Sequence, residues 1–266
     1  MAPASHRPAV TPRFTLACAF ALATTFLVPT PAALARAFAD SPRRPGAFGM
    51  PESHNASLLV SYYERFLRDQ DIEDFRGKVS ARYMEGTLIR LTVSGETLTR
   101  RAAVLALGLV GTFQANAAVG KALRDTDPTV RSLAENALWA VWSRSDSDEN
   151  NAHLEDVARA IMRRQFDDAI DRAGRLIARA PNFAEAYNQR AIAEFHLGLF
   201  RESADDCRSV IERNPYHIGA FAGLAKCLLR LDRRVEALDV LKRSAKIQPF
   251  NADIRDLIAA IETGGE

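Results

Sequence analysis

An all-α chain of stacked helical hairpins, an α-solenoid, is the fold that this sequence predicts, and three observations predict it. Prolines stand at one fixed interval, at Pro181, Pro215 and Pro249, each closing one helical pattern shortly before the next begins. A shorter motif, R-x-x-A-x-x-A-L, occurs as "RRAAVLAL" from Arg100 and again as "RSLAENAL" from Arg131, an offset of 31 residues. No segment alternates apolar and polar residues as a half-buried strand does.

From the amino terminus, His6, Arg7 and Arg13 make a short basic start, "FTLACAFALATTFLV" (14–28) carries no charge, and "PTPAALA" follows. This order reads as a secretory signal peptide, residues 1–35, cut after Ala35; an uncleaved amino-terminal anchor is the alternative. The apolar run falls short of the roughly 20 residues that cross a bilayer, and no later segment is apolar enough to do so. The mature protein is therefore expected to be exported, periplasmic or extracellular, with no membrane span. Residues 36–55 hold prolines and glycines without periodicity and read as a disordered leader. Asn55-Ala56-Ser57 matches a glycosylation acceptor, a pattern that also arises by chance.

A helical domain is expected over 56–142. "LLVSYYERFLRDQ" (58–70) is one amphipathic helix, and a second is expected from Ile72 to Thr92 on the spacing of Phe75, Val79, Tyr83, Leu88 and Leu91. The two R-x-x-A-x-x-A-L copies follow, with "ANAAVGKALRD" (115–125) as a return helix between them. In the second copy Val130, Leu133, Ala134, Ala137, Leu138 and Val141 form a core-facing stripe. Asp127-Pro128 starts that helix, because Asp caps free amides and Pro fits a first turn. These copies resemble HEAT-like repeats of the short kind, over about 97–142. Trp139 and Trp142, one turn apart, are expected to pack in a core or between domains. "SRSDSDENN" places a linker at 143–150.

The second half aligns with itself in units starting at Asn150, Ala184 and Ile218, each of two helices, with the proline at position 32. Position 20 is small in every copy (Ala169, Ser203, Ala237); position 17 is Phe166, Phe200 and, as a departure, Arg234. One hairpin cannot bury its apolar faces alone, so it stacks on its copies. Proline lacks the amide and clashes with the preceding turn, so it ends each hairpin and sets the register. "ADIRDLIAAIET" (252–263) is a last helix whose Ile254, Leu257, Ile258 and Ile261 cover the third hairpin. Cys207 and Cys227 fall on predicted buried faces and are expected to be free thiols rather than a disulfide.

The pattern of residues 151–266 resembles the tetratricopeptide repeat, most closely in "AEAYNQRAIAEFHLGLFRESADDCRSVIERNPYH"; the first copy departs from it at His153 and Asp156. The resemblance implies binding, by a groove lined by positions 2, 5, 9, 12 and 13 of each leading helix. The residues it singles out are Asn188, Ile192, Phe195, His196, Lys226, Leu229 and Arg230. It implies a protein or peptide partner; because one end of the groove is apolar and the other mildly basic, that partner is expected to offer an apolar segment and a carboxylate. The Lys and Asn of chaperone-tail-binding members are missing from the first unit, where Leu154 and Ala158 stand.

Function classes narrow further. With 35 Lys+Arg against 33 Asp+Glu and a net charge of +2, the balance gives no argument for a nucleic-acid partner. No H-E-x-x-H, C-x-x-C, phosphate-cradling glycine loop or G-x-S-x-G occurs, so no catalytic residue, metal site or cofactor is assigned. "RDTDPT" and "SDSDENN" lack calcium-loop spacing. A non-catalytic interaction scaffold is expected. A structural assembly factor of the envelope is the alternative, and a bilin-lyase-like activity of the HEAT-like half is a more distant one.

Overall fold

The computed structural model describes residues 58–263, which form thirteen α-helices and no strand. The signal segment, the leader and Asn55 lie outside the described residues. In the amino-terminal half, α1 (Leu58–Asp69) buries Leu59, Val60, Tyr63 and Phe66, a one-sided stripe. Where one helix is expected over 72–92, there are two, α2 (Ile72–Arg82) and α3 (Glu85–Leu91). Tyr83 and Met84 are extended between them. A straight helix of that length would run about 30 Å. The break turns Leu88 back into the core that Phe75 and Val79 enter.

The two R-x-x-A-x-x-A-L copies form α4 (Thr97–Val110) and α6 (Pro128–Trp142), packed against each other, with α5 (Asn116–Ala122) between them in sequence. The repeat extends to its hydrogen bonds. Arg100 Nη1 donates to the carbonyls of Ser94 and Gly95, and Arg131 Nη1 to those of Asp125 and Thr126, six and five residues upstream in each case. Arg100 and Arg101 also fork onto Asp125 and Asp127, tying the copies together. Asp127 caps α6 through the Val130 amide, with Pro128 in its first turn.

Residues 143–147 make a turn, and Asp148–Asn150, expected in the linker, already open α7 (Asp148–Met162) under a Ser147 cap. Three hairpins follow: α7 with α8 (Phe166–Arg179), α9 (Ala184–His196) with α10 (Phe200–Arg213), and α11 (Ile218–Arg230) with α12 (Arg234–Ile247). Each turns at the same place, on a residue of positive φ: Arg164 (60°), Gly198 (79°) and Asp232 (58°). At position 20, Ser203 is buried and donates to the Ala191 carbonyl across the hairpin at 2.7 Å, so close approach and hydrogen bonding coincide there. The last helix, α13 (Ala252–Glu262), lays Ile254, Leu257, Ile258 and Ile261 against the core of the second and third hairpins. Cys207 and Cys227 are free and buried.

Candidate functional site

The amino-terminal half packs against the junction of the second and third hairpins. Its core cluster takes in Ile218 and Ile247 from the third hairpin. The Trp142 indole lies flat on the His217 ring at a centroid separation of 4.1 Å, and Trp139 meets the same ring edge-on at 5.5 Å. Two helical glycines make the approach possible. A Cβ at Gly120 would stand 2.3 Å from the Tyr216 ring, and one at Gly219 2.5 Å from the Trp139 ring.

A polar chain runs through this seam. Trp142 Nε1 donates to Asn116 Oδ1 at 2.7 Å, and Asn116 Nδ2 donates to Asn214 Oδ1 at 2.9 Å. The His217 ring caps α11: its Nδ1 accepts from the Ala220 amide at 3.0 Å, so Nε2 carries the proton and donates to Glu185 at 2.9 Å. Glu185 in turn accepts from Asn188 and Gln189. All these side chains are buried. A buried hydrogen-bonded network of this kind fixes one register between two surfaces.

Beyond the seam the same face opens. A cleft of about 280 Å³ lies between α6, α11 and α13, with Trp139, Ala222 and Leu257 among its walls and Glu135, Lys226 and Asp253 as its charged groups. Burial pushes the Glu135 carboxyl up from its ordinary value, against the pull of Arg131, and burial lowers the Lys226 ammonium. At the turn end of the leading helices the His196 ring stacks on Phe166 at 4.7 Å, Phe195 meets Phe200 edge-on at 5.3 Å, and the Arg230 guanidinium lies over Phe200 at 4.2 Å. These contacts link three consecutive turns into one strip. Burial, and secondarily Arg164, hold the His196 imidazole below its ordinary value.

The residues expected to line a groove are thus divided among three settings. Asn188 is shut inside the seam, and Ile192 is buried. Lys226 lines the cleft. Phe195 and Leu229 are half-buried, while His196 and Arg230 are exposed at the strip. Asn188, expected to group with His196, Lys226 and Arg230, does not join them. Asn116, Gly120, Asn214, Tyr216 and His217 were invisible as a site in the sequence. The small residues Gly120 and Gly219 inside helical patterns were the one signal of a close approach.

A tetratricopeptide-repeat family profile matches residues 196–261. The carboxy-terminal half belongs to the tetratricopeptide-repeat (TPR) family. A TPR repeat-containing protein of Rhizobium etli is 30% identical over 135 residues, a stretch that covers 51% of this chain and 66% of that relative. Among solved structures, the first TPR of Spaghetti (RPAP3) bound to the HSP90 peptide SRMEEVD aligns with a TM-score of 0.42 and 21% identity, over 45% of this chain and 94% of that one. The TPR2AB domain of yeast Sti1 in its pHSP90 complex aligns with a TM-score of 0.41 and 17% identity, over 77% of this chain and 90% of that one. In TPR terms, α7, α9 and α11 are the leading helices, and the amino-terminal half packs on the start of α11 and the segment before it.

Proposed function

We propose that the protein is a non-catalytic interaction scaffold, which captures an extended segment of a partner protein on the stretch of TPR inner face left open beyond the seam. One observation carries this reading. Phe195, His196, Leu229 and Arg230 form an accessible aromatic, aliphatic and cationic strip, contiguous across the hairpins through the stacked pairs at Phe166 and Phe200. The Arg230 guanidinium has no carboxylate partner among the described residues and already rests on an aromatic face, which suits it to receive an anion. The segment it fits has an apolar stretch and a carboxylate, bound as a peptide laid along the face. The signal-like start supports a location in the cell envelope or outside the cell, and the 31-residue internal repeat supports a HEAT-like reading of the amino-terminal half.

The test is binding to an immobilised peptide library by the purified chain and by its Lys226→Glu and Arg230→Glu variants. Loss of acidic-tailed, apolar peptides in both variants is expected; an unchanged binding profile would remove the proposal. A second reading, a fixed subunit of an envelope assembly, is favoured by the rigid seam. Co-purification with a partner at fixed stoichiometry, insensitive to the two variants, would support that reading instead.

A further inference from the structure

The turns of the three hairpins read "MRRQF" (162–166), "HLGLFR" (196–201) and "RLDRRV" (230–235). Together they hold six arginines, Arg163, Arg164, Arg201, Arg230, Arg233 and Arg234, against one carboxylate, Asp232. The stack of His196 on Phe166 and of Arg230 over Phe200 holds the turns side by side along one edge. The proline-bearing connections, "RAPNFA" (179–184), "RNPYHI" (213–218) and "IQPFNA" (247–252), hold only Arg179 and Arg213. Both of these are engaged, Arg179 with Glu149 at 2.6 Å and Arg213 over the Tyr187 ring at 4.2 Å. At the turn edge Arg233 is held by Glu236, and Arg234 stands 3.6 Å from Asp232. Arg163, Arg164 and Arg201 make no side-chain hydrogen bond or ion pair among the described residues. Asp167 and Glu202, in the first turns of α8 and α10, pair with none of them. Helix stability explains only part of this charge. Arg163 and Arg230 close α7 and α11, where the helix dipole favours a cation, but Arg201 and Arg234 open α10 and α12, where it disfavours one. The same turns expose Met162 (57%), Leu197 (40%), Leu199 (41%) and Val235 (84%).

We propose that this turn edge docks on a membrane surface that carries anionic phospholipid. Apolar residues grouped on an exposed surface mark a contact. Here each sits beside arginine in the sequence, Met162 before Arg163, Leu199 two residues before Arg201 and Val235 after Arg234. A side chain as exposed as Val235 has no walls around it, so it suits insertion into a soft layer better than the enclosure of a peptide. At a lipid interface the apolar tips enter the headgroup boundary, while the guanidiniums stay at the phosphates. Their charge is opposite to that of the lipid, and each arginine near such a surface strengthens binding about fivefold. No helix among the described residues is long and apolar enough to cross a membrane, so these residues meet the bilayer by the edge and not by a span. Docked in this way, the strip of Phe195, His196, Leu229 and Arg230 lies beside the bilayer, and the proline-bearing edge points away from it.

The experiment is co-sedimentation with vesicles of phosphatidylcholine alone and of phosphatidylcholine with phosphatidylglycerol. It uses the chain from Arg36, which keeps every described residue and lacks the apolar run 14–28, a segment that would enter vesicles by itself. Binding is expected to the anionic vesicles only, and to weaken as salt is raised. Arg163→Gln with Arg164→Gln should lower the binding constant roughly 25-fold. Leu199→Ser with Val235→Ser should lower it about tenfold. Arg68→Gln with Arg82→Gln removes the same charge from exposed sites on α1 and α2 and should leave binding within about twofold of the parent. Arg230 stays intact throughout, so this proposal and the peptide-capture reading fail separately. Absence of binding to the anionic vesicles, equal binding to both kinds, or an equal loss in the Arg68 and Arg82 pair would overturn the proposal. Binding of polyglutamate in preference to the vesicles, lost in the Arg163 and Arg164 pair, would assign the edge to an acidic protein and overturn it as well.

Discussion

Glu194 on α9 shares its surroundings with a second carboxylate and one guanidinium. Arg190 forks onto Asp206 at 2.6 and 2.8 Å and stands 3.8 Å from Glu194, whose Oε2 is buried without a partner. Burial, and then the nearby Asp206 charge, push the Glu194 carboxyl up to about 8. The folded state thus holds a proton that the unfolded chain releases near the ordinary value of 4.5. Stability from this group is fully present below that value and is lost as the pH rises towards about 8. Glu194→Gln supplies an uncharged group at every pH. It is expected to flatten the decline between pH 5 and 9 seen in chemical denaturation, and to be more stable than the parent by about 1–2 kcal/mol at pH 9. Equal alkaline decline in both proteins would contradict the assignment. Asp127 acts with the opposite sign. Its hydrogen bonds to Arg101 hold its carboxyl below 3.8, so its contribution is present at neutral pH and is lost only in acid. The Asp127 cap was legible, since Asp-Pro before an apolar stripe is a local signal. Glu194 was not, because its charge neighbours come from two helices whose relative register only the folded hairpin sets.

The elements show the same division. Repeat length and proline spacing placed all three hairpins, and the Gly198 turn could be read directly. The shared left-handed turn residue could not, because Arg164, whose side chain disfavours that conformation, and Asp232, which carries no glycine signal, fill the equivalent places. Arg164→Gly is therefore expected to stabilise the chain by up to about 1 kcal/mol, and Gly198→Ala to destabilise it by about 1 kcal/mol. Thermal melts of the two variants check the pair, and shifts of the same sign would refute the shared-turn argument. Gly77 offers the contrasting case within α2. It is exposed, its φ is helical, and a Cβ there meets nothing within 4 Å. Gly77→Ala should add about 0.5–1 kcal/mol by helix propensity alone. The α2–α3 break escaped the sequence for a related reason: the apolar spacing from Phe75 to Leu91 fits one long helix as well as two short ones, and only the position of the core selects two.

At the scale of the whole molecule, the seam decides whether the chain behaves as one unit or two. It buries Trp142, His217, Glu185 and Asn214 together, and opening it would strand those polar groups and expose the indole. The chain should therefore unfold in a single cooperative transition. Both tryptophans of the sequence, Trp139 and Trp142, sit in the seam, so their fluorescence reports on it and on the amino-terminal core beside it, while far-ultraviolet circular dichroism reports on all thirteen helices. In the parent protein the two signals should change at the same temperature. Gly120→Val places side-chain atoms where the Tyr216 ring lies, so it should loosen the seam by about 1–3 kcal/mol. Fluorescence should then change at a lower temperature than helicity, with the TPR hairpins still folded. A parent chain whose fluorescence already shifts ahead of its helicity would show that the two halves separate first. The seam would then be a weak contact, and the start of α11 would be open to a partner in the native range.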